Sequence, residues 1–394
     1  MNKIIQRVQS LPAHGETQTL RAERLSPLLK WAGGKEQELR HILPMIPPFH
    51  RYYEPFVGGG AVFFSIQAEI KYINDKSFEL INLYRMTADN NFDFFHTLDA
   101  LLDKWRHIRE LVEIYAADFI TLYDMYSTDE CSTDGLRDDI QKFVLCHMIE
   151  IKNVLIWPFD KNVESFIQEI KKNLLRKLIR MKKLEAKRGK LSCDDVVANI
   201  ESAFKSAFYI HLRHIYNNIT GYKIPSGPAT AIFFFVRENA YASMFRYNSH
   251  GEFNVPYGGI SYNRKDLARK IAHMQSPEVQ RYLVNTVIEN MDFVDFLQKH
   301  RPDAEDFIFL DPPYDSEFST YTQNKFSRDD QERLAHYLLD QCKAKFMLVI
   351  KKTSTIYNLY NNKGLKIQAF DKRYLVSFQD RNNREAEHLI IINF

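Results

Sequence analysis

Cysteine is scarce in this 394-residue sequence: Cys131, Cys146, Cys193 and Cys342 stand far apart, with no C-x-x-C pair and no histidine at zinc spacing. That pattern argues against a disulfide framework or a thiolate zinc site and fits a reducing compartment. A dominant sign of charge is also missing. Fifty-three basic and 50 acidic residues leave a net +3, which neither demands nor excludes a polyanionic partner; what matters is whether cations cluster. No apolar run approaches the roughly 18 residues needed to span a bilayer. Residues 1–24 are polar and mixed, without a signal-type apolar core, so a cytoplasmic location and no membrane role are expected. No segment repeats at a fixed period, and no ligand cluster implies a metal.

What is present suffices for one large α/β domain plus a second domain or a big insertion. Apolar residues make up 45% of the chain, with 29 Phe and 21 Tyr. From Pro27 to about Phe95 the order is that of a nucleotide-binding unit. The turn 31–35 leads into a helix expected over Glu36–Ile42. A strand, Arg51–Val57, runs into Gly58, Gly59 and Gly60; a helix is expected over Ala61–Glu69. A second strand, Lys71–Asn74, stops at Asp75, before a helix over Phe78–Met86.

Between about Asp99 and Tyr222 apolar residues recur at helical spacing, glycine is rare and charge is dense, which predicts a mostly helical insertion. Its middle, Ile170–Lys190, is a basic amphipathic helix. A solvated face accounts for most of these lysines, and a phosphate-contacting surface is the alternative. The apolar run Ala231–Val236 is either a buried strand or a core helix. Met244–Gly259 reads as a hairpin or extended loop. The α/β rhythm then returns: a strand over Asp306–Leu310, a helix over Arg328–Lys343, a strand over Phe346–Ile350. An antiparallel pair is expected from Tyr374–Phe378 and His388–Asn393.

Three local signals carry chemistry. Asp311-Pro312-Pro313-Tyr314 directly follows an apolar strand, where ligands of such sheets bind. Asp311 offers carboxylate acceptors, and the prolines hold the Pro312 carbonyl rigidly as a second acceptor. Tyr314 offers a flat face. Two acceptors suit the two N–H donors of an exocyclic amine, and drawing both out of plane would free the nitrogen lone pair for an electrophile. Second, Phe56-Val-Gly-Gly-Gly60 joins strand to helix. The dinucleotide fingerprint needs a glycine at position 63, which is Phe63, so the loop fits a single adenosyl ligand rather than a pyrophosphate. Asp75 is placed to accept from ribose hydroxyls, or to cap the following helix. Third, Lys30-Trp31-Ala-Gly-Gly-Lys35 sets a lysine where it can meet a carboxylate.

In this order the motifs resemble those of adenine-specific DNA methyltransferases of the Dam type, the alpha-class amino-methyltransferases: K-W-A-G-G-K, F-V-G-x-G, an acid ending the second strand, then D-P-P-Y. Phe245–Asn248 and Gly251–Tyr257 also resemble that family's hairpin region. The resemblance covers about residues 27–90 and 231–394. It implies a Rossmann-like S-adenosylmethionine-dependent methyltransferase sheet with an inserted, mostly helical target-recognition module. The implied division is an N-terminal extension 1–26, a catalytic domain of 27–95 and 276–394, and the module at 96–275. Trp31, Lys35, Phe56, Gly58, Gly60, Asp75 and Asp311 would bind S-adenosylmethionine. Asp311, Pro312, Pro313 and Tyr314 would serve the amine of a base flipped out of double-stranded DNA. Tyr241, Arg246, Tyr247 and Asn248 would face DNA. A cognate restriction endonuclease acting separately is a further partner that such an enzyme can have.

The sequence departs from this pattern at Glu238 and Asn239, and at Ala242 and Ser243, where Dam-type enzymes usually carry Asn-Gly. Those differences bear on the target sequence rather than on the methyl chemistry. Other readings keep the fold but change the acceptor: cytosine N4, an RNA base amine or a protein amide. A non-catalytic DNA-binding protein would not need the complete Asp-Pro-Pro-Tyr, and an NAD-dependent oxidoreductase is disfavoured by Phe63.

Overall fold

A computed structural model describes residues 24–31, 33–313, 326–373 and 385–394. A seven-stranded sheet is made by β1 (Arg51–Glu54), β2 (Ile70–Asn74), β3 (Thr286–Glu289), β4 (Phe307–Leu310), β5 (Lys345–Lys351), β6 (Lys366–Arg373) and β7 (Glu385–Ile392). The spatial order is β3-β2-β1-β4-β5-β7-β6. The first five strands run parallel, and β7 is antiparallel to both β5 and β6.

Strand chemistry explains the two covered faces. Along β4 the burial alternates: Phe307 and Phe309 enter one apolar cluster, Ile308 and Leu310 the other. Met347 and Val349 of β5, and Ile390 and Ile392 of β7, join the first; their neighbours join the second. This is the period of two expected of a sheet buried on both sides. The second cluster is closed by the helices Phe293–His300, Arg328–His336 and Ser354–Tyr360.

The first cluster runs without interruption into the helices between Phe92 and Asn239. Their starts are marked by polar caps: Asn91, Ser132 and Ser192 each accept from a backbone N–H of the first turn. The open choice at Ala231–Val236 resolves as helix, within Ser226–Asn239, and every one of those six residues is buried.

Several expected bounds move. The helix expected at Glu36–Ile42 is regular only over Leu39–Ile42. Strand β1 ends at Glu54, because Pro55 has no N–H to give the ladder. The helix expected over Ala61–Glu69 is absent; only a single tight turn, Phe63–Ser65, forms. Residues 61–64 and Ile66 are all buried, so the segment has no solvent face on which an amphipathic helix could turn. The helix after Ser327 is regular to His336 and widens into a π-turn over Tyr337–Gln341. Strand β3 is an element that the sequence reading lacked. The C-terminal pair does form, but β7 is partnered by β6 and β5; Tyr374–Phe378 lies outside the described residues.

Candidate active site and recognition hairpin

Chain order reverses between β1 and β4: β1 is followed by β2 on one side and flanked by β4 on the other. Both strands run the same way, with Tyr52 beside Phe307 and Tyr53 beside Ile308. Their carboxyl ends therefore open onto one crevice, the switch point where open α/β sheets bind ligands. The turn after β1 carries Gly58–Gly60, and the turn after β4 carries Asp311–Pro313.

Lys35, only 2% exposed, forms an ion pair with the Asp311 carboxylate and donates to the Gly33 carbonyl at 3.1 Å. The first and last motifs in the chain thus meet. Beneath them Glu54 is buried at the end of β1 and accepts from the Tyr52 hydroxyl at 2.7 Å. Burial, reinforced by the charge of Asp311, holds the Glu54 carboxyl well above the usual carboxylate range. The sequence reading passed over Glu54; a lone acid within an apolar strand was its signal.

The glycines serve the protein's own packing more directly than the reading supposed. A Cβ at Gly58 would stand 3.0 Å from the Trp31 ring, one at Gly59 2.6 Å from the Leu29 carbonyl oxygen, and one at Gly60 2.5 Å from the Tyr84 hydroxyl. Gly58 and Gly60 also have positive φ, +49° and +78°. The turn is consequently pressed against residues 29–31 and roofed by Trp31. Phe56 packs away from it, on Phe293 and Phe326 at 5.3 and 5.5 Å.

Asp75 closes the other side. Its carboxylate accepts from Gly58 N at 3.1 Å and from Ser77 N at 2.9 Å, tying the end of β2 to the glycine turn. The cap of the next helix is Ser77, not Asp75. Desolvation pushes the Asp75 carboxyl up to about 6, against the pull of three backbone donors. One of its four lone-pair sites remains for another donor. Pro312 is buried and Pro313 exposed, its carbonyl accepting from Gln331 at 3.3 Å. Tyr314 lies outside the described residues.

The segment 240–257 is a short two-stranded ribbon, with bridges Ala240–Tyr257 and Tyr247–Phe253. Helix Cys193–Asn217 anchors it. Tyr209 and Arg213 both donate to the Val255 carbonyl at 2.9 Å, and Asn217 exchanges two hydrogen bonds with the Phe253 backbone. Of the residues expected to face DNA, Tyr241 and Arg246 are exposed. Tyr247 is half-buried, its hydroxyl 3.1 Å from that of Tyr216. The Asn248 side chain is spent on the turn, accepting from the backbone of His250 and Glu252. The ribbon reaches the crevice through Phe245, whose ring is 5.1 Å from Trp31. Arg237 is wedged there, its guanidinium 4.0 Å from the Phe245 ring centre and 5.1 Å from that of Trp31. Burial lowers this cation to about 10, and the two aromatic faces offset part of the cost.

An α/β sheet of this order, with an Asp-Pro-Pro turn facing a glycine turn across its switch point, defines a methyltransferase. The chain belongs to the D12 class of N6 adenine-specific DNA methyltransferases, whose family model matches residues 31–183 and 150–374. It is similar to the Type II methyltransferase M.CviBI of Paramecium bursaria Chlorella virus NC1A, 24% identical over 94% of this chain and 100% of that protein. The Type II methyltransferase M.MjaIII of Methanocaldococcus jannaschii is 26% identical over 94% of this chain and 99% of its own length. The DNA N-6-adenine-methyltransferase of Escherichia phage P1 is 24% identical over 90% of this chain, which spans 34% of that longer protein. The protein is thus an adenine-specific DNA methyltransferase, acting on DNA with a methyl donor. Among the described residues no helix is long and apolar enough to cross a membrane, and no group of His, Cys, Asp and Glu could hold a metal.

Proposed function

We propose that the crevice binds S-adenosylmethionine and that Asp311 and the Pro312 carbonyl hold the N6 amine of an adenine flipped out of duplex DNA. The observation that carries this reading is the Lys35–Asp311 pair, which joins the first and last motifs at the switch point, with Trp31 packed on the glycine turn beside them. The donor set suits the ligand. Asp75 offers a half-buried carboxylate to ribose hydroxyls, Lys35 an ammonium to a carboxylate, and Asp311 a carboxylate to an ammonium. When bound, the cofactor supplies a sulfonium methyl, a ready electrophile.

The chain's residues do the positioning. Asp311 and the Pro312 carbonyl would accept hydrogen bonds from the two N6 hydrogens and turn the lone pair toward the methyl. On methylation the Asp311 carboxylate would take up the N6 proton that is released and pass it to water. Tyr314 is assigned the stacking face and Trp31 a flank of the cofactor; Phe56, its ring packed on Phe293 and Phe326, serves that site through its place beside the glycine turn. Tyr241, Arg246, Tyr247 and Asn248 are assigned to the DNA side, the last two through the shape of the ribbon. Residues 27–95 and 276–394 form the catalytic domain in this reading, and 96–275 the inserted recognition module. A separate cognate restriction endonuclease fits the Type II names of the relatives.

Incubation with methyl-labelled S-adenosylmethionine and duplex DNA, followed by digestion to nucleosides, tests the assignment. The label is expected in N6-methyladenine. Label solely in methylcytosine, or none at saturating cofactor, overturns it.

A further inference from the structure

Helix Val163–Arg188 presents two unlike sides. Phe166, Ile167, Ile170, Leu174, Leu178 and Met181 are buried against its neighbours. On the outer side stand Arg176, Arg180, Lys183 and Lys187, all exposed. Their spacing of 4, 3 and 4 residues places them within about 60° of one another on a helix of 3.6 residues per turn. Two other cations of the helix are held by acids: Lys172 by Glu169, Lys182 by Asp129. No ion pair involves the four among the described residues. Like charges one turn apart repel at a cost of a few tenths of a kcal/mol per pair, and nothing in the packing requires them.

The register of this helix tells where the stripe lies. It runs antiparallel to Cys193–Asn217, with Asn162 bonded to His214 at 3.3 Å, Asn173 to Ser206 at 3.1 Å and Lys177 to Ser202 at 3.5 Å. The 209–217 end of that partner is the one that grips the recognition ribbon. At 1.5 Å per residue, Arg176 stands about 21 Å and Lys187 about 38 Å along the helix from that end. Duplex DNA carries a phosphate on each strand every 3.4 Å or so, so a duplex running along this helix from the ribbon would bring the stripe beside phosphates about 6 to 11 base pairs away.

We infer that the Arg176–Lys187 face docks on the phosphate backbone of the flanking duplex, lengthening the DNA footprint well past the methylated site without reading its sequence. Charge complementarity with the enzyme's own substrate identifies the occupant. The test uses the full chain and duplexes carrying one target, each flank extended separately from 4 to 14 base pairs. The parent's affinity is expected to rise as one flank passes about 6 base pairs and to level by about 11. The variant Arg176→Gln, Arg180→Gln, Lys183→Gln, Lys187→Gln should bind the short duplex like the parent. On the long duplex it should bind at least about tenfold more weakly at 0.1 M salt, with a log–log salt slope smaller by about 3.6, at 0.9 per phosphate contact. Parent affinity independent of flank length overturns the proposal. So does a variant that matches the parent on long DNA, or one that loses equally on short and long DNA. Adenine methylation of the short duplex reports separately on the catalytic reading.

Discussion

Exchanging Ala242→Asn and Ser243→Gly together should stabilise the recognition ribbon. Both residues have φ of +52°, a region where a Cβ costs about 1–2 kcal/mol and which Gly, and to a degree Asn, enters freely. Ser243→Gly removes the clash but enlarges the unfolded ensemble by about 0.5–1 kcal/mol, leaving a net gain of about 0.5–1 kcal/mol. Ala242→Asn carries little entropic penalty and adds about 0.5 kcal/mol, so the pair should gain slightly more than 1 kcal/mol. The ribbon is closed by Asn248 N to Glu252 O and Asn254 N to Arg246 O, at 2.8 and 3.1 Å. Hydrogen exchange at those two amides reports its local opening, and a gain of 1 kcal/mol slows exchange about fivefold. Ala240, with φ of −67°, is the internal control: Ala240→Gly should speed exchange by at least a similar factor, through added chain entropy and the loss of a buried methyl. Unchanged or faster exchange in the double variant, beside the expected effect in the control, would refute the left-handed strain.

Three further outcomes follow from the site. The ionised form of Asp75 is the better acceptor for ribose hydroxyls, and its carboxyl is raised to about 6. Cofactor affinity by calorimetry should therefore be about tenfold weaker at pH 5 than at pH 8, and Asp75→Asn should flatten the profile. The same raised carboxyl favours the folded protein below its unfolded value near 4, and that contribution is lost as pH rises through about 6, so protonation of Asp75 does not itself destabilise the fold. Gly59→Ala pushes a Cβ to 2.6 Å from the Leu29 carbonyl; it should cost about 1–3 kcal/mol in chemical unfolding and weaken cofactor binding. Glu238, 2% exposed, holds Lys265 and Lys270 at 2.6 Å each. Glu238→Ala should cost about 2 kcal/mol by leaving two part-buried ammonium groups without an anion, whereas Lys270→Met should cost under about 1 kcal/mol, both by denaturant titration.

The parts of the site legible in the sequence are those written in short-range backbone chemistry. A glycine run after a strand, an acid ending the next strand, and Asp-Pro-Pro after an apolar run each restrict φ and hydrogen bonding locally, so their places in the fold follow from their neighbours in the chain. What escaped the reading depends on residues far apart in sequence. Trp31 meets Phe245 and Arg237 only because the ribbon folds back over the glycine turn; an arginine after Ile232–Val236 reads as a helix end, not as a cation between two rings. Tyr247 looks like a DNA-facing aromatic until Tyr216, on another helix, takes its hydroxyl. The short turn at Phe63–Ser65 failed as a helix for a related reason. Its residues are strong enough hydrophobes for a helix, but Tyr84 and Tyr282 pack around them from several sides and leave no outward stripe. The helix at Ala231–Val236 was undecidable by periodicity because an element buried all round has none.

In the proposed mechanism the Asp311 carboxylate, with the carbonyl beside it, grips the amine that is methylated. Single-turnover methyl transfer by Asp311→Ala, with duplex affinity measured on the same preparation, addresses it most directly. The transfer rate should fall by at least about a thousandfold, with DNA affinity within a few-fold of the parent. Transfer within tenfold of the parent would contradict the mechanism.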